Sequence, residues 1–317
     1  MTERRRHGSE PETERLPRDL FEQITSVRLR RPQTVSEQAA RRLRPEPLTK
    51  DGRFAVLVAD QPARQALAAG SDSLALGNRH SFLSRIVFAL TAGGLDGVAA
   101  TTDVIEELLI ICHLLEQRGH PRILDGKLLI ASMNPGGAAG SVWEIDSRFT
   151  SFVPQTVAAL RLHGVRLTLR LAAAEARSAD AVAACATAIT ELNALGLAVF
   201  LDATPVRKAD GRWRTLREPA DLVKLAGLAS ALGDSSLGLW LALPFCEGFA
   251  AVAAATTLPL LVSTGADVTE AGQCVEEVKA AVNSGPNVRG ALLPASVLFL
   301  EGAADAVKAI SRTVHGA

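Results

Sequence analysis

Several residue types and patterns are scarce in this sequence, and their scarcity disfavours whole classes of protein. Among 317 residues there is no tyrosine, and aromatic side chains make up only 4%. The 34 basic and 34 acidic side chains cancel, so the chain lacks the positive excess that nucleic-acid binders carry. No apolar run approaches the ~20 residues needed to cross a bilayer. We therefore expect a small-molecule partner rather than nucleic acid or a membrane.

The sequence also lacks the spacings that bind metals or form disulfides. Its four cysteines are far apart, with no CxxC pair and no secretory signal: Cys112, Cys185, Cys246 and Cys274. None of the six histidines follows a predicted strand: His7, His80, His113, His120, His163 and His315. We therefore predict reduced thiols, a cytoplasmic location, no metal and no cofactor.

Composition divides the chain into three segments. Residues 1–15 are charged and have nothing apolar to bury, which predicts a disordered tail. Residues 16–50 predict a helical extension, because Leu20, Ile24 and Val27 recur on one helical face after Pro17. In residues 51–317 the pattern changes to short apolar runs separated by helix-like stretches.

The 51–317 segment predicts a single (β/α)8 TIM barrel, an α/β fold. The apolar runs that predict its eight strands are residues 54–60, 96–101, 128–133, 165–171, 197–203, 237–243, 259–264 and 290–294. Nearly continuous apolar runs are typical of parallel strands buried on both faces. An open doubly wound sheet is the rival fold, but no GxGxxG motif follows the first run.

Polar residues at the carboxyl ends of the runs mark the predicted site, because barrels of this kind hold their chemistry there. Asp60 ends the first run and Asp202 lies in the fifth, and we expect both to act as acid/base carboxylates. Asp60 has an alternative role as a cap of the helical turn that follows it. Arg170, near the end of the fourth run, is expected either to bind a substrate anion or to pair with Asp202.

Three loops complete the predicted rim. The glycine-rich segment MNPGGAAGSVWEIDSRF after the third run either folds over the barrel or forms an ordered surface turn, with Glu144 paired to Arg148. The loops after the seventh and eighth runs are expected to aim backbone N–H groups at a phosphate. The expected substrate-binding residues are Asn134, Glu144, Arg148, Ser263, Thr264, Gly265, Ala295 and Ser296.

Three stretches carry a resemblance to a known family: VADQPAR, GKLLIASMNPGGAAGSVWEIDSRFT and WLALPFCEGFAAVAAATTLPLLVSTGAD. From about Arg41 to the C-terminus, the chain resembles actinobacterial (β/α)8 proteins described as deoxyribose-phosphate-aldolase-like and associated with inositol catabolism. More broadly, it is similar to class I aldolases of the tagatose-bisphosphate and fructose-bisphosphate type. The resemblance implies a carbon–carbon lyase for a small phosphorylated sugar or an inositol-derived keto acid, and it leaves a homo-oligomer open.

The chain departs from the pattern of that family at four places. Gln61 stands where the family has histidine, Ser263-Thr264 replaces part of a glycine cradle, and Pro294-Ala295 replaces Gly-Arg. Ala242 stands where the family has its Schiff-base lysine, and alanine has no amine to attack a ketone. Lys208, after the fifth run, is the lysine best placed to reach the rim instead. Two functions stay open: an aldolase-type lyase, or a non-catalytic aldolase paralogue that binds a sugar phosphate or a protein partner.

Overall fold

The structure, a computed structural model, describes residues 16–141, 143–265 and 268–316. The tail predicted at 1–15 lies outside these residues. The strands are β1 (Phe54–Ala59), β2 (Gly97–Ala100), β3 (Leu128–Asn134), β4 (Gly164–Leu171), β5 (Ala198–Ala209), β6 (Arg212–Thr215), β7 (Leu239–Pro244), β8 (Leu260–Ser263) and β9 (Val288–Pro294). The helices are α1 (Arg18–Arg30), α2 (Thr34–Arg41), α3 (Arg79–Thr91), α4 (Thr102–Gln117), α5 (Pro154–Ala159), α6 (Arg177–Ala194), α7 (Pro219–Ser230), α8 (Phe249–Ala254), α9 (Ala271–Val282) and α10 (Ala303–His315).

Eight parallel strands close into the predicted barrel. β1 pairs with β2 and with β9, and the ring is completed through β3, β4, β5, β7 and β8 by the pairing of β4 with β5. The helices between the strands pack on the outer face of the ring, where the larger apolar cluster lies. β6 stands outside the ring, so the sixth to eighth predicted runs correspond to β7, β8 and β9.

β5 extends further than the sequence pattern predicts. It continues to Ala209 and pairs antiparallel with β6, so that Lys208 is opposite Trp213. Asp210 and Gly211, with φ of 51° and 74°, form the two-residue turn between the strands. The predicted loop after the fifth run is therefore a hairpin that projects from the ring.

The barrel interior has an apolar end and a polar end. Near the amino ends of the strands, the Phe54 ring centroid lies 5.9 Å from that of Phe200 and 4.7 Å from that of Trp240. These rings fill the narrow interior, and each aromatic pair adds about 0.5–1.5 kcal/mol beyond the area it buries. Toward the carboxyl ends of the strands, called the mouth below, the inward positions become polar.

The two predicted N-terminal helices are present and pack against α4. Leu20 and Ile24 of α1 are buried in this contact. The Arg28–Glu106 pair (2.5 Å) connects α1 to α4, and other ion pairs reinforce the contact at the surface. Within the described residues, no helix is both long enough and apolar enough to cross a membrane.

Candidate functional site

Two carboxylates and one guanidinium form a buried cluster at the mouth, called the interior triad: Asp60, Arg166 and Asp202. Arg166 Nη1 donates to Asp60 Oδ2 at 2.6 Å. Arg166 Nε donates to Asp202 Oδ2 at 3.0 Å, and Nη2 donates to the same oxygen. The side chains of Asp60, Arg166 and Asp202 are 0%, 4% and 8% exposed. The two predicted acid/base carboxylates therefore do lie together, with an arginine between them.

Arg166 keeps its positive charge although it is buried in the ring. Burial acts against the charged form of Arg166, but the carboxylates of Asp60 and Asp202 outweigh that effect and raise its pKa. Asp60 Oδ1 has no hydrogen-bond partner among the described residues. Because Asp60 is fully enclosed, a ligand reaches that oxygen only if the mouth rearranges.

Sequence reasoning overlooked Arg166 because it treated the fourth run as continuously apolar. The run VRLTLRL in fact alternates in β4. Its outward residues belong to the outer apolar cluster: Val165, Leu167 and Leu169. Its inward residues are Arg166, Thr168 and Arg170. Alternation with period two was the signal that could have placed an arginine inside the ring, where a charge needs a partner.

Arg170 pairs with the glycine-rich loop and not with Asp202. Arg170 Nη1 donates to Glu144 Oε1 at 3.2 Å, and Glu144 Oε2 accepts the backbone N–H of Gly140 at 2.8 Å. Two pairings that the sequence left open as alternatives therefore do not form: Arg170 with Asp202, and Glu144 with Arg148. Asp202 instead pairs with Arg166, because Arg166 lies deeper in the ring, beside β5. Arg170 lies at the rim, under the loop.

The loop after β3 is tied down by its own backbone and by Asn134. A Cβ at position 137 would lie 1.9 Å from the Trp143 carbonyl oxygen, so only glycine permits this turn. Asn134 is buried, and its Nδ2 donates to the carbonyls of Ser147 (3.0 Å) and Thr168 (2.9 Å). Its Oδ1 accepts the Thr168 N–H at 2.8 Å. The Asn134 amide thus already joins β3, β4 and the loop.

A cavity of about 760 Å³ opens at the mouth, above β2 and β3. Its walls include Trp143, Asp146 and Arg148 from the loop, Asp103 from α4 and Arg177 from α6. Arg148 is 81% exposed, and its Nε donates to Asp146 Oδ2 at 2.9 Å. This cavity therefore brings the exposed ring of Trp143 and two guanidinium groups to one opening at the mouth.

Arg64 lies next to the triad without a partner of its own. It follows β1 in a short 3₁₀ turn, and its Nε lies 3.7 Å from the position a Cβ would take at Gly136. Among the described residues, no side-chain hydrogen bond or ion pair reaches its guanidinium. Burial, and next the charge of Arg170, lower its pKa to about 10, so it stays a cation at neutral pH.

At the ends of β8 and β9, several of the described backbone and side-chain groups already have partners or are buried. The Thr264 N–H donates to the Leu292 carbonyl at 3.1 Å, and Ala295 and Ser296 are buried in a 3₁₀ turn. Ser263 is half-buried at the last position of β8. The Gly265 N–H faces the carboxylate of Glu277, and residues 266–267 lie outside the described residues.

Ala242 is fully buried in the ring, next to Asp202 in the β5–β7 register. The chain has six lysines: Lys50, Lys127, Lys208, Lys224, Lys279 and Lys308. Lys127 Nζ donates to the Leu95 carbonyl (2.8 Å) at the amino ends of the strands. The other five are exposed, and Lys208 Nζ lies 5.9 Å from the centroid of the Trp213 ring, on the hairpin. Each lysine therefore lies outside the barrel interior.

The four cysteines are free and buried. Burial raises the pKa of Cys185 to about 12 and that of Cys274 to about 11, so both remain thiols at neutral pH. In the part of the chain that the structure describes, no three His, Cys, Asp or Glu side chains are grouped as metal ligands.

Comparisons with known proteins show what the whole chain is similar to. A sequence model of the Cgl0159-like family matches residues 52–314. The crystal structure of Cgl0159 from Corynebacterium glutamicum is 28% identical, with a TM-score of 0.86 over 95% of this chain and 98% of that one. No curated protein sequence matches the chain significantly.

Solved aldolases share the barrel at lower identity. An archaeal fructose 1,6-bisphosphate aldolase is 16% identical, with a TM-score of 0.59 over 89% of this chain and 100% of that one. The fructose-bisphosphate aldolase of Slackia heliotrinireducens is 16% identical, with a TM-score of 0.58 over 97% of this chain and 90% of that one. At such identities the likeness shows the fold alone.

Proposed function

The chain belongs to the Cgl0159-like family, and on that premise we propose that it binds a small anionic, sugar-derived ligand at the mouth without forming a Schiff base. The ligand class is a phosphorylated sugar or an inositol-derived keto acid. The observation that carries the proposal is the unpaired guanidinium of Arg64 at the edge of the interior triad.

The carboxylates around Arg64 already have other partners. Asp60 and Asp202 share Arg166, and Glu144 accepts from Arg170. Arg64 therefore keeps its guanidinium donors for a ligand, and a planar guanidinium fits two oxygens of a phosphate or carboxylate at once. Trp143, exposed in the adjoining cavity, offers an apolar ring against which the body of a sugar can pack.

The absence of an interior amine supports binding without Schiff-base chemistry. A Schiff base needs an unprotonated lysine at the reacting carbonyl, and position 242 carries only a methyl group inside the ring. Borohydride added with dihydroxyacetone phosphate should therefore leave every lysine unmodified, as measured by mass spectrometry. An adduct on Lys208 would contradict this part of the proposal.

Calorimetry tests the binding itself. We expect heat from dihydroxyacetone phosphate or deoxyribose 5-phosphate and much less from the unphosphorylated sugars. Arg64→Gln should weaken binding at least about tenfold, because a hydrogen bond to a charged group contributes about 1.5–3 kcal/mol. Arg312→Gln, at an exposed arginine on α10, is the matched control and should bind like the wild type. Equal affinity in the two variants, or no heat from any anionic sugar, would overturn the proposal.

A carbon–carbon lyase without a Schiff base is the second candidate. It is favoured by Asp60 Oδ1, a carboxylate oxygen that has no partner among the described residues and that a substrate reaches once the mouth rearranges. Aldehyde release from a phosphorylated sugar by the wild type, abolished in Asp60→Asn while calorimetric binding persists, would establish this function. Binding without turnover in the wild type would support the first candidate, ligand binding without catalysis.

A further inference from the structure

A second cavity lies at the opposite end of the barrel, below the amino ends of β4, β5 and β7. It has a volume of about 300 Å³. The segment before β1 contributes Arg44 and Glu46, the start of β4 contributes His163, and the end of α6 contributes Asn193. Neither the interior triad nor Arg64 contributes to it, so it is separate from the site at the mouth.

Three polar side chains around this cavity each have a buried atom without a hydrogen-bond partner among the described residues. These atoms are Arg44 Nε, His163 Nε2 and Asn193 Oδ1. A buried polar atom left unpaired costs about 1–3 kcal/mol, and such atoms are rare in folded proteins. Three of them around one small cavity indicate that something polar belongs there.

The tautomer of His163 makes its free nitrogen a donor. The Leu129 N–H donates to His163 Nδ1 at 3.0 Å. Nδ1 also lies 3.4 Å from the Leu129 carbonyl oxygen, but that oxygen already accepts the backbone N–H of His163 at 2.9 Å. The shorter contact assigns Nδ1 as the acceptor of the ring. Burial, followed by the charges of Arg42 and Arg44, lowers the pKa of His163 to about 3, and the ring is neutral. A neutral imidazole that accepts at Nδ1 carries its proton at Nε2. The cavity therefore has N–H donors on both His163 and Arg44.

The charge around the cavity is positive and largely uncompensated. Arg42 is buried, and its two terminal nitrogens donate to the carbonyls of Lys127 (2.9 Å) and Arg161 (2.8 Å). Arg161 donates to the Ala40 carbonyl, and no ion pair reaches Arg44 among the described residues. The nearby carboxylates are Glu46, exposed at the cavity edge, and Asp125, which pairs with Arg122. Within the described part of the chain, three guanidinium groups thus lack a bonded counter-charge.

We propose that this amino-end cavity is a binding site for a small oxyanion, a phosphate group or a carboxylate, held by Arg44 and His163. Where the ligand carries a hydroxyl, as a singly or doubly protonated phosphate does, Asn193 Oδ1 accepts from it. The oxyanion supplies the acceptors that the two donors lack and the negative charge that the three arginines lack. Because the site joins the segment before β1 to the starts of β4 and β5, its ligand fastens the N-terminal extension to the ring.

The test titrates the full-length protein with inorganic phosphate and, in a parallel arm, with malonate, at constant ionic strength. We expect saturable heat, and a shift of the ¹⁵Nε2 signal of His163 that saturates with it. Arg44→Gln should weaken binding at least about tenfold, because it removes a charge-assisted contact. Tighter binding of phosphate or of malonate identifies which oxyanion the cavity prefers.

Two variants distinguish binding in this cavity from binding elsewhere on the protein. Arg41→Gln changes an exposed arginine that pairs with Glu116 and lies outside the cavity, and it should leave binding unchanged. Arg64→Gln alters the mouth and should also leave the His163 response unchanged. If Arg41→Gln weakens anion binding as much as Arg44→Gln does, the effect is one of general electrostatics. If binding is lost only in Arg64→Gln, the anion binds at the mouth. Either result, or no saturable response, overturns the proposal.

Discussion

Two arginines at opposite ends of the barrel are equally buried, and they differ in what surrounds them. Arg166 and Arg42 are 3% and 2% exposed. Arg166 donates to the carboxylates of Asp60 and Asp202, which raise its pKa against the effect of burial. Arg42 donates only to backbone carbonyls; burial and then the charges of Arg44 and Arg161 lower its pKa to about 10.

The comparison shows that burial alone does not tell what a charged side chain does. At the mouth, the protein neutralises its deepest cation with its own carboxylates, so Arg166 is occupied, and we propose that a ligand uses Arg64 instead. At the amino end, the protein supplies neutral acceptors, so the positive charge remains available to an external anion. The same residue type thus carries a charge that the protein neutralises itself at one end and a charge that it leaves without a bonded carboxylate at the other.

The largest effect is expected from breaking the triad. Arg166→Leu removes the guanidinium that is bonded to both buried carboxylates, and losing one partner of a buried ion pair costs about 3–5 kcal/mol. Urea unfolding should report that loss in the free energy of unfolding. Arg42→Leu is the matched comparison. It leaves only neutral carbonyl groups without a hydrogen-bond donor, so it should lower the free energy of unfolding by about 1–3 kcal/mol.

A triple variant tests whether the unpaired buried carboxylates cause the loss of stability in Arg166→Leu. Asp60→Asn and Asp202→Asn, combined with Arg166→Leu, leave no charge in the interior. The triple variant should therefore be more stable than Arg166→Leu alone. If Arg166→Leu and Arg42→Leu lose the same free energy, the distinction between the two ends is wrong.

A smaller effect is expected from moving the interior cation to another strand. Ala242→Lys in the wild type adds bulk and a second cation beside Asp202, and overpacking alone costs about 1–3 kcal/mol. In the Arg166→Leu background the same lysine replaces the missing charge, so its cost should shrink or reverse. The double-mutant cycle in urea measures this coupling. Ala242→Met, similar in length but uncharged, should show little coupling, and equal behaviour of the two substitutions would mean that charge does not couple the two positions.

Most of the fold could be predicted from the sequence, but the ion-pair partners of the side chains inside the barrel could not. Eight apolar runs separated by helical stretches predicted the closed barrel, because parallel strands must be buried on both faces. The ends of those runs placed Asp60 and Asp202 at one edge, since parallel strands share their carboxyl end. The pairing of Arg166 with both depends on depth within the ring, which residue type and order along the chain do not specify.

Two further misses have similar causes. Lys208 was expected in a loop, but β5 continues because Asp210-Gly211 permits a tight turn and β6 supplies the missing backbone partners. A pair of Glu144 with Arg148 at helical spacing was one of the two alternatives for the loop, but this loop is not a helix, and Arg170 approaches Glu144 from β4. Both errors came from local spacing, which neighbouring strands override.

The smallest effect is expected from a substitution of His315. This residue also lies at the amino end of the barrel, but unlike Arg42 it contacts carboxylates. His315 Nδ1 lies 2.6 Å from Asp51 Oδ2 and Nε2 lies 3.0 Å from Asp96 Oδ2. Burial lowers the pKa of His315, but the contacts with Asp51 and Asp96 outweigh it and raise the pKa above the ordinary value. These contacts should contribute about 0.5–1 kcal/mol, because they are partly exposed.

The sign of its pH dependence distinguishes His315 from Arg42. A cation with a raised pKa stabilises the fold fully below its unfolded pKa of about 6.5 and loses that contribution as pH rises through its folded value. Burial raises the pKa of Asp51, but hydrogen bonds, first of all with His315, outweigh it and hold that pKa below its ordinary value, so strong acid removes the same contribution from the other side. His315→Asn should therefore destabilise the protein more at pH 6 than at pH 9 in urea unfolding. Arg42→Leu should cost nearly the same at both values, because its partners are carbonyls that do not titrate; a pH-independent cost for His315→Asn would mean that the histidine contributes packing rather than charge.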